Sequence, residues 1–347
     1  MIDQIALKKR ESFFMENTSQ EILHSDLEEC KNLIAQCRAE VAKRIVGQSE
    51  ITDGVLMALI TGGHVLLEGV PGLAKTLAVK TFAEISGLSF KRVQFTPDLL
   101  PADISGTLIY EQSSGQFTVR KGPVFANIVL ADEINRAPAK VQSALLEAMA
   151  EEQVTIGEKS YALPKPFFVL ATQNPIEQEG TYGLPEAELD RFLLKVHVPY
   201  PTPSEELNIV RAEGRSAAYP VNQVFSAENL AKCRAVLDAI VCSEKIIEYI
   251  VSVVRVTRPL DDEAANKKSD IARYISFGAS PRAGIALVRC AKAKALFAGR
   301  SFVLPEDVKS VAHSVLRHRL VLSYEAAADG VDADTLISRI LSLMPVP

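Results

Sequence analysis

The stretch Gly69-Val70-Pro71-Gly72-Leu73-Ala74-Lys75-Thr76 constrains this chain more than any other. It follows the apolar run Val65-Leu66-Leu67 and precedes Leu77-Ala78-Val79-Lys80-Thr81-Phe82-Ala83, a helix-like segment. Strand, tight Gly/Pro loop, Lys-Thr pair and helix, in that order, make a phosphate cradle. Loop amides face the phosphates at a helix N-terminus, Lys75 neutralises charge, and the Thr76 hydroxyl can ligate Mg²⁺. The pattern G-x-x-x-x-G-K-[ST] expects glycine where this chain has Ala74. Within a first helical turn alanine costs little, so the cradle is expected to survive the change. The segment therefore reads as the binding loop of a nucleotide triphosphatase, formed by Gly69, Pro71, Gly72, Leu73, Ala74, Lys75, Thr76 and Leu77.

Such a loop needs a large sheet behind it, and 347 residues with 48% hydrophobic and 23% charged side chains supply the core, with room for roughly two domains. The net charge of −5 gives no global basic field, which argues against nucleic acid or an anionic membrane as a partner and leaves local basic surfaces open. Cys30, Cys37, Cys233, Cys242 and Cys290 form an odd set without a C-x-x-C pair, most of them at apolar positions of helical patterns. Buried free thiols in a reducing compartment are expected. His313 and His318, five apart, share no helical face, and no zinc site is expected. The N-terminus carries Lys8-Lys9-Arg10 without a long apolar segment after it, and no run approaches the roughly 18 apolar residues of a membrane span. These features point to the cytoplasm.

Along the chain, residues 1–18 read as a polar tail. From Ile22, apolar Leu23, Leu27, Cys30, Leu33, Ile34, Cys37, Val41 and Ile45 recur at threes and fours, an amphipathic helix that Gly47 ends. A second helix is expected from Ser49 to Ile60. Beyond the phosphate loop, strands at Phe90–Gln94, Ala126–Ala131, Phe167–Thr172 and Leu193–Val198 alternate with helices, which implies a parallel sheet covered on both faces. Two segments, 107–119 around Ser113-Ser114-Gly115 and 154–163 around Gly157-Glu158-Lys159, read as β-hairpins projecting from this core. After Pro199-Tyr200-Pro201-Thr202-Pro203 the pattern turns to helices only. Those helices are expected at Ser243–Thr257 with apolar Ile246, Ile247, Ile250, Val251 and Val254, from Ser280-Pro281 to Gly299, from Pro305 to Val321, and from Asp334 to Leu343. Asp261–Ser276 reads as a charged loop. The fold class is thus α/β, with an αβα nucleotide-binding domain over 19–201 and an all-helical domain over 202–347.

The apolar strand Val129-Leu130-Ala131 ends in Asp132-Glu133. Two carboxylates at the tip of a buried strand are costly without a cation. Asp132 is placed to hold Mg²⁺ and Glu133 to polarise the water that attacks the γ-phosphate. The next strand ends Thr172-Gln173-Asn174-Pro175, and Asn174 there can orient that water or serve as a turn-forming residue. Arg191, in Leu189-Asp190-Arg191-Phe192, is either an arginine finger for a neighbouring subunit or a salt-bridge partner of Asp190 or Glu188. Arg282 falls in the first turn of a helix, where the dipole disfavours a cation, so it answers to an anion elsewhere, either a nucleotide phosphate or an intramolecular carboxylate.

Taken together, Gly47-Gln48, the phosphate loop, Leu130-Ala131-Asp132-Glu133-Ile134-Asn135-Arg136-Ala137-Pro138, Ala171-Thr172-Gln173-Asn174-Pro175, Leu189-Asp190-Arg191-Phe192 and Ser280-Pro281-Arg282 resemble the MoxR family of AAA+ ATPases from about residue 20 to the end. Ala74 is usual in that family. The resemblance implies Walker A at Lys75 and Thr76, Walker B at Asp132 and Glu133, sensor 1 at Asn174, the finger at Arg191 and sensor 2 at Arg282, with Gly47 and Gln48 bordering adenine. It makes the hairpins the helix-2 and pre-sensor-1 inserts and the C-terminal domain a lid. It further implies ATP and Mg²⁺ as cofactors, a homo-oligomeric, usually hexameric, ring, and a chaperone-like role with von Willebrand factor A domain partners and protein clients. Competing readings are a nucleotide-gated scaffold with slow turnover, a chelatase-type motor subunit and a nucleic-acid translocase, the last disfavoured by the acidic charge balance.

Overall fold

The computed structural model describes residues 24–70, 72–175, 180–212, 215, 219–259 and 270–347. The polar tail, Ile22 and Leu23, and most of the charged stretch from Asp261 lie outside these residues. Helix α1 covers 24–42, and its stripe of Leu27, Cys30, Ile34, Cys37 and Val41 is buried, as its spacing predicts. Helix α2 (Ser49–Thr61) follows.

Five strands form one sheet: β1 (Val65–Glu68), β2 (Phe90–Gln94), β5 (Ile128–Asp132), β8 (Phe168–Gln173) and β9 (Leu194–His197). Their order is β2-β5-β8-β1-β9 and every pair is parallel. The three inner strands are apolar almost throughout because helices cover both faces, among them α3 (Lys75–Ser86) and α5 (Ala139–Glu151). Glu68 pairs with Gln173 and Ala131 with Ala171, so the carboxyl tips of β1, β8 and β5 stand side by side. Ligand chemistry in such sheets gathers at that end. At the amino end, the His64 carbonyl accepts the Leu193 N–H at 2.9 Å.

His64 is buried there and joins three elements. Its Nδ1 accepts the Val169 N–H at 3.1 Å, which leaves Nε2 to donate to the Met149 carbonyl at 3.3 Å. Burial holds its pKa down at about 4, so the ring is neutral.

After α4 (Pro101–Ser105), β3 (Gly106–Glu111) and β4 (Gln116–Lys121) make the first hairpin; β6 (Gln153–Ile156) and β7 (Lys159–Ala162) make the second. The first exposes Tyr110 and Phe117, whose ring centroids lie 5.3 Å apart with the planes tilted by 57°.

A short helix α6 (Glu186–Leu189) precedes β9. The C-terminal part then contains α7 (Pro203–Arg211), α8 (Ala227–Ala239), α9 (Glu244–Val256), α10 (Pro281–Phe297), α11 (Pro305–Leu316), α12 (Tyr324–Ala328) and α13 (Ala333–Leu343). It departs from the expected helices-only pattern in one place, where β10 (Ile275–Phe277) and β11 (Val321–Leu322) pair antiparallel. The helix expected to reach Val321 stops at Leu316, because Arg319 turns back to bond the carbonyls of Leu193 and Phe192 and the chain then enters β11. On α9 the buried face is Ile246, Tyr249, Ile250, Val253 and Val254, while the apolar Val251 is exposed. Lys232 of α8 bonds Asp26 and Glu29 of α1, which ties the first helix to the C-terminal part. All five cysteines are free; burial pushes the Cys37 and Cys290 thiols up to about 12. Among the described residues no helix is long and apolar enough to cross a membrane.

Candidate active site

The phosphate loop leaves β1 at Gly69, where only glycine fits: a Cβ would lie 2.8 Å from the Val198 side chain. Gly72 has φ +87°, a left-handed conformation that suits glycine, and its Cα faces open space. Pro71 lies outside the described residues. Leu73 is buried and Leu77 packs partly against the core, so the two apolar loop positions anchor the cradle from below. Ala74 corrects the sequence reading. It is the N-cap of α3 with φ 54°, outside the helical turn, and so sits in a region where a Cβ costs about 1 kcal/mol.

Lys75 reaches back and donates to the Gly69 carbonyl. Burial lowers its pKa, opposed by the fields of Asp132, Glu133 and Glu68, so the ammonium is a partly desolvated cation within its own loop. Thr76 Oγ1 lies 3.5 Å from Asp132 Oδ2. These are hard oxygen donors of the kind Mg²⁺ takes one or two of from a protein, and the residues present fit that ion. Gln48 has φ 52° and a buried Oε1 without a hydrogen-bond partner among the described residues, and Gly47 beside it lies against the Glu205 carboxylate at the start of α7.

Opposite the loop, Asp132 is nearly buried and fully engaged. Thr172 Oγ1 donates to its Oδ1 at 2.6 Å, while Arg92 donates to Oδ2 from Nε at 3.0 Å and from Nη2 at 2.7 Å. Glu133 has φ 57° and ψ 51°, strain of the kind that gathers at functional positions. Its N–H donates to Thr172 Oγ1 at 2.8 Å, and its carboxylate accepts from Gln94 Nε2 and pairs with Arg136, each at 2.9 Å. Asn174, one residue past β8, is 5% exposed and stands between the tips of β5 and β1.

Arg191 and Arg282 are elsewhere. Arg191 lies two residues before Leu193, hence at the amino end of the sheet. Its side chain has no hydrogen bond or ion pair among the described residues. Of the two carboxylates that sequence offered it, Asp190 accepts Arg319 Nε at 2.6 Å and Ser280 Oγ at 2.9 Å, while Glu188 accepts Ser143 Oγ at 2.9 Å on Oε1 and keeps a buried Oε2 without a hydrogen-bond partner among the described residues. Arg282 follows the N-cap Ser280, is 67% exposed at its side chain, and comes no nearer than 4.0 Å to Asp190.

Residues 64–194 match the family model described as ATPase family associated with various cellular activities, and residues 267–340 match an AAA lid domain. Chaperone MoxR1 of Mycobacterium tuberculosis is 48% identical over 308 residues, 89% of this chain and 81% of its own. The chain belongs to the MoxR family of AAA+ ATPases. YeaC of Bacillus subtilis, an uncharacterised protein, is 41% identical over 323 residues, 92% of this chain and 97% of its own. A crystal structure of a candidate ATPase from Cytophaga hutchinsonii superposes with a TM-score of 0.86 at 48% identity, over 96% of this chain and 99% of that one.

In this MoxR-family chain the fold brings together the phosphate loop, Asp132, Glu133 and Asn174, and it separates Arg191 and Arg282 from them. Sequence reasoning missed Arg92, Gln94, Arg136, Thr172 and Arg319. Thr172 carried a signal, as the one hydroxyl inside an apolar strand. Arg92 and Gln94, two apart on one face of β2, carried only the alternation of an edge strand.

Proposed function

We propose that the chain is an ATP-hydrolysing ring protein whose sites are completed between neighbouring subunits. The observation that carries this reading is the position of Arg191. From the level of His64 to Gly69 the strand rises on the order of 15 Å, at about 3.3 Å per residue. A finger at the amino end of the sheet lies beyond reach of the phosphate loop of its own chain and in this reading serves a neighbour. Arg282 lies beside Asp190 on the same side and is assigned to that same neighbour's nucleotide.

In this reading Lys75 exchanges the Gly69 carbonyl for a phosphate oxygen, and the loop N–H groups, all but that of Pro71, which has none, hold the β- and γ-phosphates. Thr76 and Asp132 hold Mg²⁺, which offsets charge on the phosphate oxygens. Glu133 leaves Gln94 and Arg136 to accept a proton from the attacking water, and Asn174 orients that water. The neighbour's Arg191 stabilises charge on the transferring phosphoryl group. Gly47 and Gln48 border the adenine, with the Gln48 Oε1 free to accept a hydrogen bond.

The work done is chaperone-like remodelling of a protein complex in the cytoplasm, with a von Willebrand factor A domain protein as partner and a hexamer as the assembly. Support comes from membership of the family that includes Chaperone MoxR1. The test is a Glu133→Gln trap. It should bind ATP without turnover and retain a protein from native lysate that is released when nucleotide is removed, whereas turnover at the wild-type rate would refute the role of Glu133. Lys75→Ala should lose ATP binding altogether.

A further inference from the structure

Arg92 has no part in the chemistry just described, yet it makes the strongest contact to the metal-facing carboxylate. β2 pairs with β5 in parallel, with Arg92 opposite Leu130 and Gln94 opposite Asp132, so Arg92, Gln94 and Asp132 share one face of the sheet. From there the Arg92 guanidinium donates twice to a single oxygen, Asp132 Oδ2. That is the oxygen nearest Thr76 Oγ1. Oδ1 is already used by Thr172. Oδ2, the oxygen that shares the proposed metal position with Thr76, is therefore taken by the guanidinium while Arg92 stays in place.

We propose that Arg92 is a resident cation that occupies the metal-facing oxygen of Asp132 and must leave before Mg²⁺ is held there. This inference rests on the proposed Mg²⁺-nucleotide site. The Asp132 side chain is 11% exposed, and a carboxylate so far out of water needs a positive partner when no metal is bound. Arg92 supplies it. A divalent ion and a guanidinium on one oxygen repel each other, so the two are alternatives. The Arg92 side chain is 49% exposed, on the edge strand of the sheet, and it already donates to Gln94 Oε1 at 2.8 Å. It has both solvent and a second partner to move to. Arginine suits the place because its fork gives two bonds to one carboxylate and stays charged at any working pH.

The consequence is a threshold on Mg²⁺. Binding of the metal has to displace an ion pair, so the pair sets how much Mg²⁺ the site requires. The test titrates Mg²⁺ against binding of a fluorescent, non-hydrolysable ATP analogue, with EDTA as the metal-free end point, for wild type, Arg92→Gln, Arg92→Lys and Lys75→Ala. Arg92→Gln is expected to reach half-saturation at about threefold or more lower Mg²⁺, the size of a partly exposed ion pair. Arg92→Lys should fall between, since it keeps the charge and loses the fork. An unchanged or raised Mg²⁺ requirement in Arg92→Gln, with a wild-type melting temperature showing that the variant is folded, would overturn the inference and leave the nucleotide site standing. Failure of the wild type to bind the analogue at any Mg²⁺ concentration, equal to Lys75→Ala, would overturn the nucleotide site and this inference with it.

Discussion

Thr172 shows how much of the site depends on one hydroxyl. It donates to Asp132 and accepts from the Glu133 N–H, so a single side chain fixes both acidic residues. Thr172→Val keeps the shape and removes both bonds, leaving a buried carboxylate oxygen and a backbone N–H unpaired. A loss of about 1 to 3 kcal/mol in urea unfolding is expected, with Thr172→Ser restoring most of it. Ala74 works in the other direction. Its φ of 54° favours glycine, but glycine also loses more chain entropy on folding, so Ala74→Gly should change stability by no more than about 1 kcal/mol and leave ATP binding intact. A titration showing lost affinity would mean that the Ala74 methyl group has a part in the cradle. At this scale the sequence displayed what is local. The loop, Asp132 and Glu133 are legible because strand, turn and acid lie within a few residues of one another. Arg92 and Gln94 are not, since their roles exist only once β2 pairs with β5, some 40 residues away.

Whole elements were readable where apolar periodicity was strong. The stripe on α1 follows from spacing, the strands of the sheet from short apolar runs, and the cap at Ser280 from a Ser-Pro pair. The β10–β11 ribbon and the early stop of α11 were not readable, because Arg319 bonding to Leu193 and Phe192 is a tertiary event with no local signature. The hairpins were legible as shapes, and their exposed tips allow a check. Tyr110→Ser with Phe117→Ser should shift melting by less than about 1 kcal/mol equivalent, because both rings are exposed and support no core. A larger loss would place the first hairpin within the folding unit of the sheet. His64 joins β1, β8 and α5 in its neutral form, and its pKa is held below the usual 6.5 at about 4. Its contribution is therefore fully present above pH 6.5 and is lost as the pH falls from there towards 4. The unfolded chain takes up the proton first, and by pH 5 this amounts to about 2 kcal/mol. Urea unfolding of wild type and His64→Gln at pH 7 and pH 5 should show the smaller pH-dependent loss in the variant, while equal losses would assign the acid sensitivity to other groups.

For the molecule as a whole, the phosphate loop follows the carboxyl end of β1 and Arg191 precedes the amino end of β9, and the proposal is that a neighbouring chain brings the two together. Asp190 bonds Arg319 and Ser280, Glu188 bonds Ser143 through one oxygen, and Arg191 is without an ion-pair partner among the described residues. The most direct test of this division is ATP turnover in mixed assemblies of Arg191→Ala and Lys75→Ala chains, each inactive alone. Mixing creates interfaces in which an intact phosphate loop meets an intact finger, so activity should reappear and follow the statistical fraction of such interfaces. Arg191→Ala should still bind ATP as wild type does. Full turnover by Arg191→Ala alone, or no recovery in any mixture of chains shown to co-assemble, would contradict a site shared between subunits.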